Sequence, residues 1–186
     1  MAVRQPKYAL LVIDMQQRFR NCTTPAMIAE VNATIEHCRD KQVPVIFTMH
    51  GHRYAIDQGE LGRFWKGDLS MIGAADWQLM DGIKCEPQRG DLMVDEKRRY
   101  DAFHNTPLDS ILRELQVNTV IVSGVMTNLC CETSARSAFN HDYGVLFLSD
   151  GCGTSSAECH QATLINIRSG FGRVLTCKEL RDSVLV

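Results

Sequence analysis

The sequence predicts an α/β protein, a three-layer α/β/α sandwich on a mainly parallel sheet of about six strands. Three observations carry that reading. Short continuous apolar runs recur along the chain, as expected of strands buried on both faces. Segments with helical apolar spacing lie between them. The length, 186 residues, suits one domain with a core large enough to need no metal or disulfide staple.

Taken in order, Tyr8 to Ile13 (YALLVI) is the first strand, ended by Asp14. Thr24-Pro25 then gives a helix start with proline at the first helical position, and Met27, Ile28, Val31, Ile35 and Cys38 fall on one face. Val43 to Met49 is the second strand and Leu92 to Val94 the third. Between them, residues 51–90 break the rhythm. This polar stretch carries both tryptophans and several glycines, and an irregular segment of that length in a compact domain predicts a lid or pocket wall. A second helix begins at Thr106-Pro107 with Leu108, Ile111, Leu112 and Leu115 on its inner face. Val120 to Val122, Val145 to Leu148 and Val174 to Leu175 complete the strands. A helix over Glu132 to Asn140 follows the fourth, and Ser155 with Glu158 has capping-box spacing for the next.

Composition narrows the function classes. The chain is 45% hydrophobic and 23% charged, with 20 Lys plus Arg against 22 Asp plus Glu and a formal net charge of -2. Neither disorder nor a basic surface for nucleic acid is expected, and no run approaches the ~20 apolar residues of a membrane span. A small-molecule partner is expected. Eight cysteines stand at positions 22, 38, 85, 130, 131, 152, 159 and 177. Their spacing is not that of a zinc site, and the start MAVRQPKYALLVID shows no signal peptide. Reduced, mostly buried thiols and a cytoplasmic protein follow as expectations.

Ligands of open α/β sheets bind beyond the carboxyl ends of the strands. Asp14 closes the first strand, Glu96-Lys97 follow the third, and GVMTNLCC follows the fourth. A carboxylate, an ammonium and a thiol thus share one rim. A helix start and a neighbouring cation predict a lowered pKa for Cys130. Asp14 could take the thiol proton and return it to a leaving amine. The backbone N–H groups of the Met126 to Cys130 turn could face a developing oxyanion. No GxGxxG follows the first strand, which argues against dinucleotide binding.

The strings LLVIDMQQRF, VDEKRRYDAFHNTPLD and VSGVMTNLCCETSARSAF, in this order and at these separations, resemble the isochorismatase-like cysteine hydrolase family, whose sheet is Rossmann-type. The likeness spans Tyr8 to Leu180. It implies that Asp14, Lys97 and Cys130 form the family's triad, and that a cis peptide between Val125 and Met126 turns the Met126 N–H into an oxyanion hole beside that of Cys130. It further implies thiolate attack on an amide or carbamoyl carbonyl, release of ammonia or an amine, and hydrolysis of the thioester. A homo-oligomer, dimer or tetramer, is also implied.

Nicotinamidases of this family carry an Asp-x-His metal motif after strand two and a His-Cys pair further on. Here the first reads TMHGHRYAID, with His50 at the aspartate position and His52 retained, and no His-Cys pair follows it. No metal or other cofactor is therefore expected, His50 and His52 being the only candidates for a divalent ion. Isochorismatases proper cleave a vinyl ether and can dispense with the nucleophile. This chain keeps Cys130, which favours amide, ureido or carbamoyl substrates, with nicotinamidase, vinyl-ether hydrolase and a non-catalytic redox-responsive protein as alternatives. Phe19, Arg53, Trp65 and Tyr100 are candidate pocket residues by their place near the rim. Cys131 is expected to pack inward, with a vicinal disulfide to Cys130 as the redox alternative.

Overall fold

The computed structural model describes residues 5–185. Six parallel strands, β1 (Tyr8–Ile13), β2 (Val45–His50), β3 (Leu92–Lys97), β4 (Thr119–Val125), β5 (Gly144–Gly153) and β6 (Arg173–Leu175), form one sheet in the order β3-β2-β1-β4-β5-β6. Strand β1 shows why apolar runs make buried strands. Side chains alternate across a strand, so Ala9, Leu11 and Ile13 enter one core while Leu10 and Val12 enter the other.

Helices α1 (Pro25–Asp40) and α6 (Cys177–Ser183) cover the second face with Met27, Val31, Ile35, Cys38 and Leu180. Helices α3 (Leu108–Glu114), α4 (Glu132–Asn140) and α5 (Ala157–Gly170) cover the first with Leu108, Leu112, Ala135, Ala138, Leu164 and Ile167. The three-layer sandwich is thus observed. No helix among the described residues is long and apolar enough to cross a membrane.

Local chemistry sets the helix starts. Thr24 Oγ1 accepts the Met27 N–H at 3.1 Å, with Pro25 opening α1. The α5 cap is Ser156, which accepts from Cys159 N, not Ser155. A capping box does occur, but at Thr176 and Glu179 ahead of α6, a helix the apolar pattern does not announce.

Strands run longer than their apolar cores. Strand β3 continues through Glu96 to Lys97, so both belong to the strand and do not follow it. Strand β2 starts at Val45, after Pro44, and carries His50 as its last residue. The 51–90 segment holds one short helix, α2 (Gly59–Phe64), among brief single turns.

Two features aim the sheet at a site. The strand order reverses between β1 and β4, the crevice where such sheets bind ligands. There Gly124 pairs with Ile13 at φ +114°, and a Cβ on it would lie 2.1 Å from the Ile13 carbonyl oxygen. Only glycine lets the two backbones meet. At the far edge of the sheet, Asp91 just before β3 binds Arg39 of α1, Nε to Oδ1 at 3.1 Å and Nη2 to Oδ2, with both side chains almost fully buried.

Candidate active site

Three strand ends deliver the three reactive groups to one point. Asp14 leaves β1 at φ +49°, a conformation that costs a non-glycine residue roughly 1–3 kcal/mol and persists where its surroundings impose it. Its N–H donates to the Thr48 carbonyl at 3.1 Å. Both of its carboxylate oxygens are engaged: Oδ1 accepts from Thr48 Oγ1 at 2.6 Å and Oδ2 from Lys97 Nζ at 2.5 Å. Asp14 and Lys97 are each 0% exposed. Truncating one member of a buried ion pair leaves an uncompensated charge, at a cost of about 3–5 kcal/mol.

Cys130 stands over this pair. After β4 the Val125–Met126 bond is cis, and residues Thr127–Cys131 form a single wide π-helical turn, closed by the Cys131 N–H on the Met126 carbonyl at 3.2 Å. The turn leads straight into α4. Met126 and Cys130 both face a cavity of about 570 Å³, and Asp14 and Lys97 lie behind Cys130.

The electrostatics correct one expectation. Burial pushes the Cys130 thiol pKa up, and Lys97 offsets this only in part, with Asp14 adding to the rise. Burial works against the Lys97 ammonium too, yet Asp14 and the Cys130 sulfur outweigh it and raise its pKa. The resting site is therefore a protonated thiol beside the Lys97 ammonium. A lowered thiol pKa from the helix start is not observed, because desolvation dominates at this buried sulfur.

The cavity wall comes from elsewhere in the chain. Phe19, on the turn Gln17–Cys22, together with Trp65 and Tyr100, lines it, and Trp65 Nε1 donates to Tyr100 Oη at 2.7 Å. Arg53 does not line it. Parity explains the miss: His52 points inward, so Arg53 points out and pairs with Glu96, the outward neighbour of Lys97. The 51–90 segment supplies Leu61, Asp68, Leu69, Ser70 and Asp76 to the wall.

Sequence reasoning passed over Arg18 and Gln16. Buried Gln16 accepts the His50 N–H at 2.7 Å and donates to the His50 and Trp77 carbonyls at 3.0 and 2.7 Å, tying the wall to the sheet. Its place two residues after Asp14, in a polar MQQR string, was the available signal.

His50 and His52 are both buried, their rings 5.2 Å apart and nearly perpendicular. His52 Nδ1 meets Asp57 Oδ1 at 2.7 Å. A carboxylate is an acceptor, so Nδ1 donates to it. His50 Nδ1 and His52 Nε2 have no partner among the described residues. A metal needs a third ligand, and none joins them. The one trio of His, Cys, Asp or Glu with ligand atoms mutually within 4.8 Å among the described residues is Glu30, Asp150 and Cys177, which includes neither histidine. The donor set among the described residues does not fit a metal centre.

All eight cysteines are free thiols, and five are buried. Cys131 packs inward beside Cys152 in the core.

Comparison with known proteins agrees with this architecture. The family profile described as Isochorismatase domain matches residues 8–179. Nicotinamidase 3 of Arabidopsis thaliana is 44% identical over 177 residues, covering 95% of this chain and 88% of that protein. The ureidoacrylate amidohydrolase RutB of Pseudomonas syringae pv. syringae is 31% identical, covering 89% and 79%. The crystal structure of a cysteine hydrolase from Pseudomonas syringae pv. phaseolicola superposes with a TM-score of 0.86 at 28% identity, over 96% of this chain and 94% of that one.

Proposed function

This chain belongs to the isochorismatase family, and on that premise we propose that it is a cysteine amidohydrolase in which Asp14, Lys97 and Cys130 perform the chemistry on a small non-peptide amide. The observation that carries the reading is the meeting of these three side chains from β1, β3 and the turn after β4, with only Cys130 reaching the cavity.

The raised thiol pKa sets the order of events. Cys130 enters the reaction as a thiol and loses its proton to Asp14 as the sulfur attacks the substrate carbonyl. The Met126 and Cys130 N–H groups receive the developing oxyanion, a role in which one donor is worth about 2.7–4 kcal/mol elsewhere. Asp14 returns the proton to the leaving nitrogen, and ammonia or an amine departs. The acyl group remains on sulfur as a thioester. Water then attacks it, giving a proton to Asp14, which passes it to the departing sulfur, so that the acid leaves and the thiol is restored. Lys97 stays charged and holds the carboxylate in place throughout.

Nicotinamide heads the candidate substrates because the plant relative at 44% identity is named a nicotinamidase. Ureido acids follow from the ureidoacrylate amidohydrolase. Ammonia release across nicotinamide, ureido acids, carbamoyl amino acids and aliphatic amides tests the reading, with intact-mass detection of an acyl adduct on Cys130. Turnover that persists in Cys130→Ala would sink it. A homo-oligomer remains part of the proposal, supported by the exposed Ile56 and Phe64 and testable by light scattering, and a cytoplasmic location is proposed with it, testable by cell fractionation.

A further inference from the structure

We propose that the cavity mouth sorts amides by charge, admitting neutral substrates and disfavouring those that bear a carboxylate, through Arg18 clamped between Asp68 and Asp76. The proposal rests on the amidohydrolase reading and narrows its substrate class.

Among the residues lining the cavity, Arg18 is the only lysine or arginine, and Asp68 and Asp76 are the only carboxylates. An arginine in an amide-binding cavity would ordinarily suggest a fork for a substrate carboxylate. Here that fork is occupied. Nη1 donates to Asp76 Oδ2 at 2.8 Å, and Nη2 donates both to the Asp68 carbonyl at 2.8 Å and to the Asp68 carboxylate. A guanidinium offers bidentate edges through Nε with Nη2 or through Nη1 with Nη2. Both edges need Nη2, and its two hydrogens already face two acceptors.

Charge points the same way. One guanidinium against two carboxylates leaves the mouth with a negative excess. Lys97 does not compensate, since it lies behind Cys130 with Asp14 against its ammonium. His50 adds no charge, because burial first and Lys97 second lower its pKa to about 3. An incoming carboxylate thus meets surplus negative charge and no free cation. Like-charge juxtaposition is a recognised device against wrong partners. A neutral amide meets no such penalty, and Phe19, Leu61 and Trp65 offer apolar surface for its body.

The test uses two compounds of one shape, benzene-1,3-dicarboxamide and 3-carbamoylbenzoate, which differ by a carboxamide against a carboxylate. Wild type is expected to favour the neutral compound by about tenfold or more in kcat/KM at low salt, with the gap closing as sodium chloride is raised, because exposed charges are screened. Asp76→Asn removes one carboxylate and frees Nη1, so the preference narrows. Arg18→Gln leaves both carboxylates uncompensated, so it widens. General loosening of the wall would move both ratios the same way.

Calorimetry with Cys130→Ala reads the same preference as binding, independently of turnover. Tighter binding of the neutral compound with no hydrolysis by wild type supports the charge filter and sinks the amidohydrolase reading. Equal or reversed preference, both substitutions shifting the ratio in one direction, or no binding of either compound overturns the filter.

Discussion

The floor and the wall of the cavity are built on opposite principles. The floor stands on the ends of β1, β3 and β4, held by ladder pairing on both sides of β1 and β4 and by β2 alongside β3, and its Asp14 and Lys97 side chains are sealed from water. The wall is drawn mostly from an irregular segment held by side-chain contacts, such as Trp65 to Tyr100 and Arg18 to Asp76. Rigid scaffold carrying variable loops is the common way to keep a chemistry while changing its substrate. Substitutions in the buried ion pair and backbone of the floor should therefore strike turnover and stability together, and those in the wall substrate preference alone.

The sharpest way to break that contrast is at the sulfur. Cys130→Ala is expected to lose about 10⁴-fold or more in kcat with an unchanged thermal midpoint, by ammonia release and calorimetry. Lys97→Met strands the Asp14 carboxylate in the interior, so urea unfolding should show a loss of about 3–5 kcal/mol along with activity. Gly124→Ala puts a methyl into the Ile13 carbonyl at φ +114°, and a cost of about 3 kcal/mol or more is expected from strain and overpacking.

His50, at the junction of floor and wall, gives a pH signature. Its pKa is lowered to about 3 in the fold by burial and Lys97, whereas the unfolded residue titrates near 6.5. The unfolded chain alone binds the proton between those values. Stability is then whole above about pH 6.5 and falls as pH drops toward 3, by up to about 1.4 kcal/mol per pH unit. Urea midpoints of wild type and His50→Asn should converge as the pH is lowered. The smallest effect belongs to the wall: Trp65→Phe loses one hydrogen bond, about 0.5–1.5 kcal/mol, read as a few-fold rise in KM with kcat unchanged.

The same division governs what the sequence discloses. Apolar runs announce the strands, and Asp14 stands out as the first polar residue where its run stops, with Cys130 in the short GVMTNLCC string after the fourth run. The apolar run of β3 stops at Val94, where Asp95 and Glu96 make a polar break, though pairing with β2 carries the strand on to Lys97. Wall residues lack any such punctuation. Arg18 meets acids 50 and 58 residues away, a pairing decided by where the 51–90 segment lands. Arg53 stands one residue from buried His52, and that step of parity sends it outward. The raised thiol pKa has no local signal either, because helix-dipole and charge effects are local while desolvation depends on the whole enclosure.

Strand β3 lies at an edge of the sheet, where strands ordinarily fray first, yet it supplies the ammonium. A buried ion pair clamps each end: Arg39 to Asp91 where the strand begins and Lys97 to Asp14 where it finishes. The edge strand is thus riveted to α1 at one end and to the centre of the sheet at the other. Catalytic competence in this molecule is tied to the integrity of a border, and a lesion at Arg39, far from any substrate, reaches the reaction by letting that border peel.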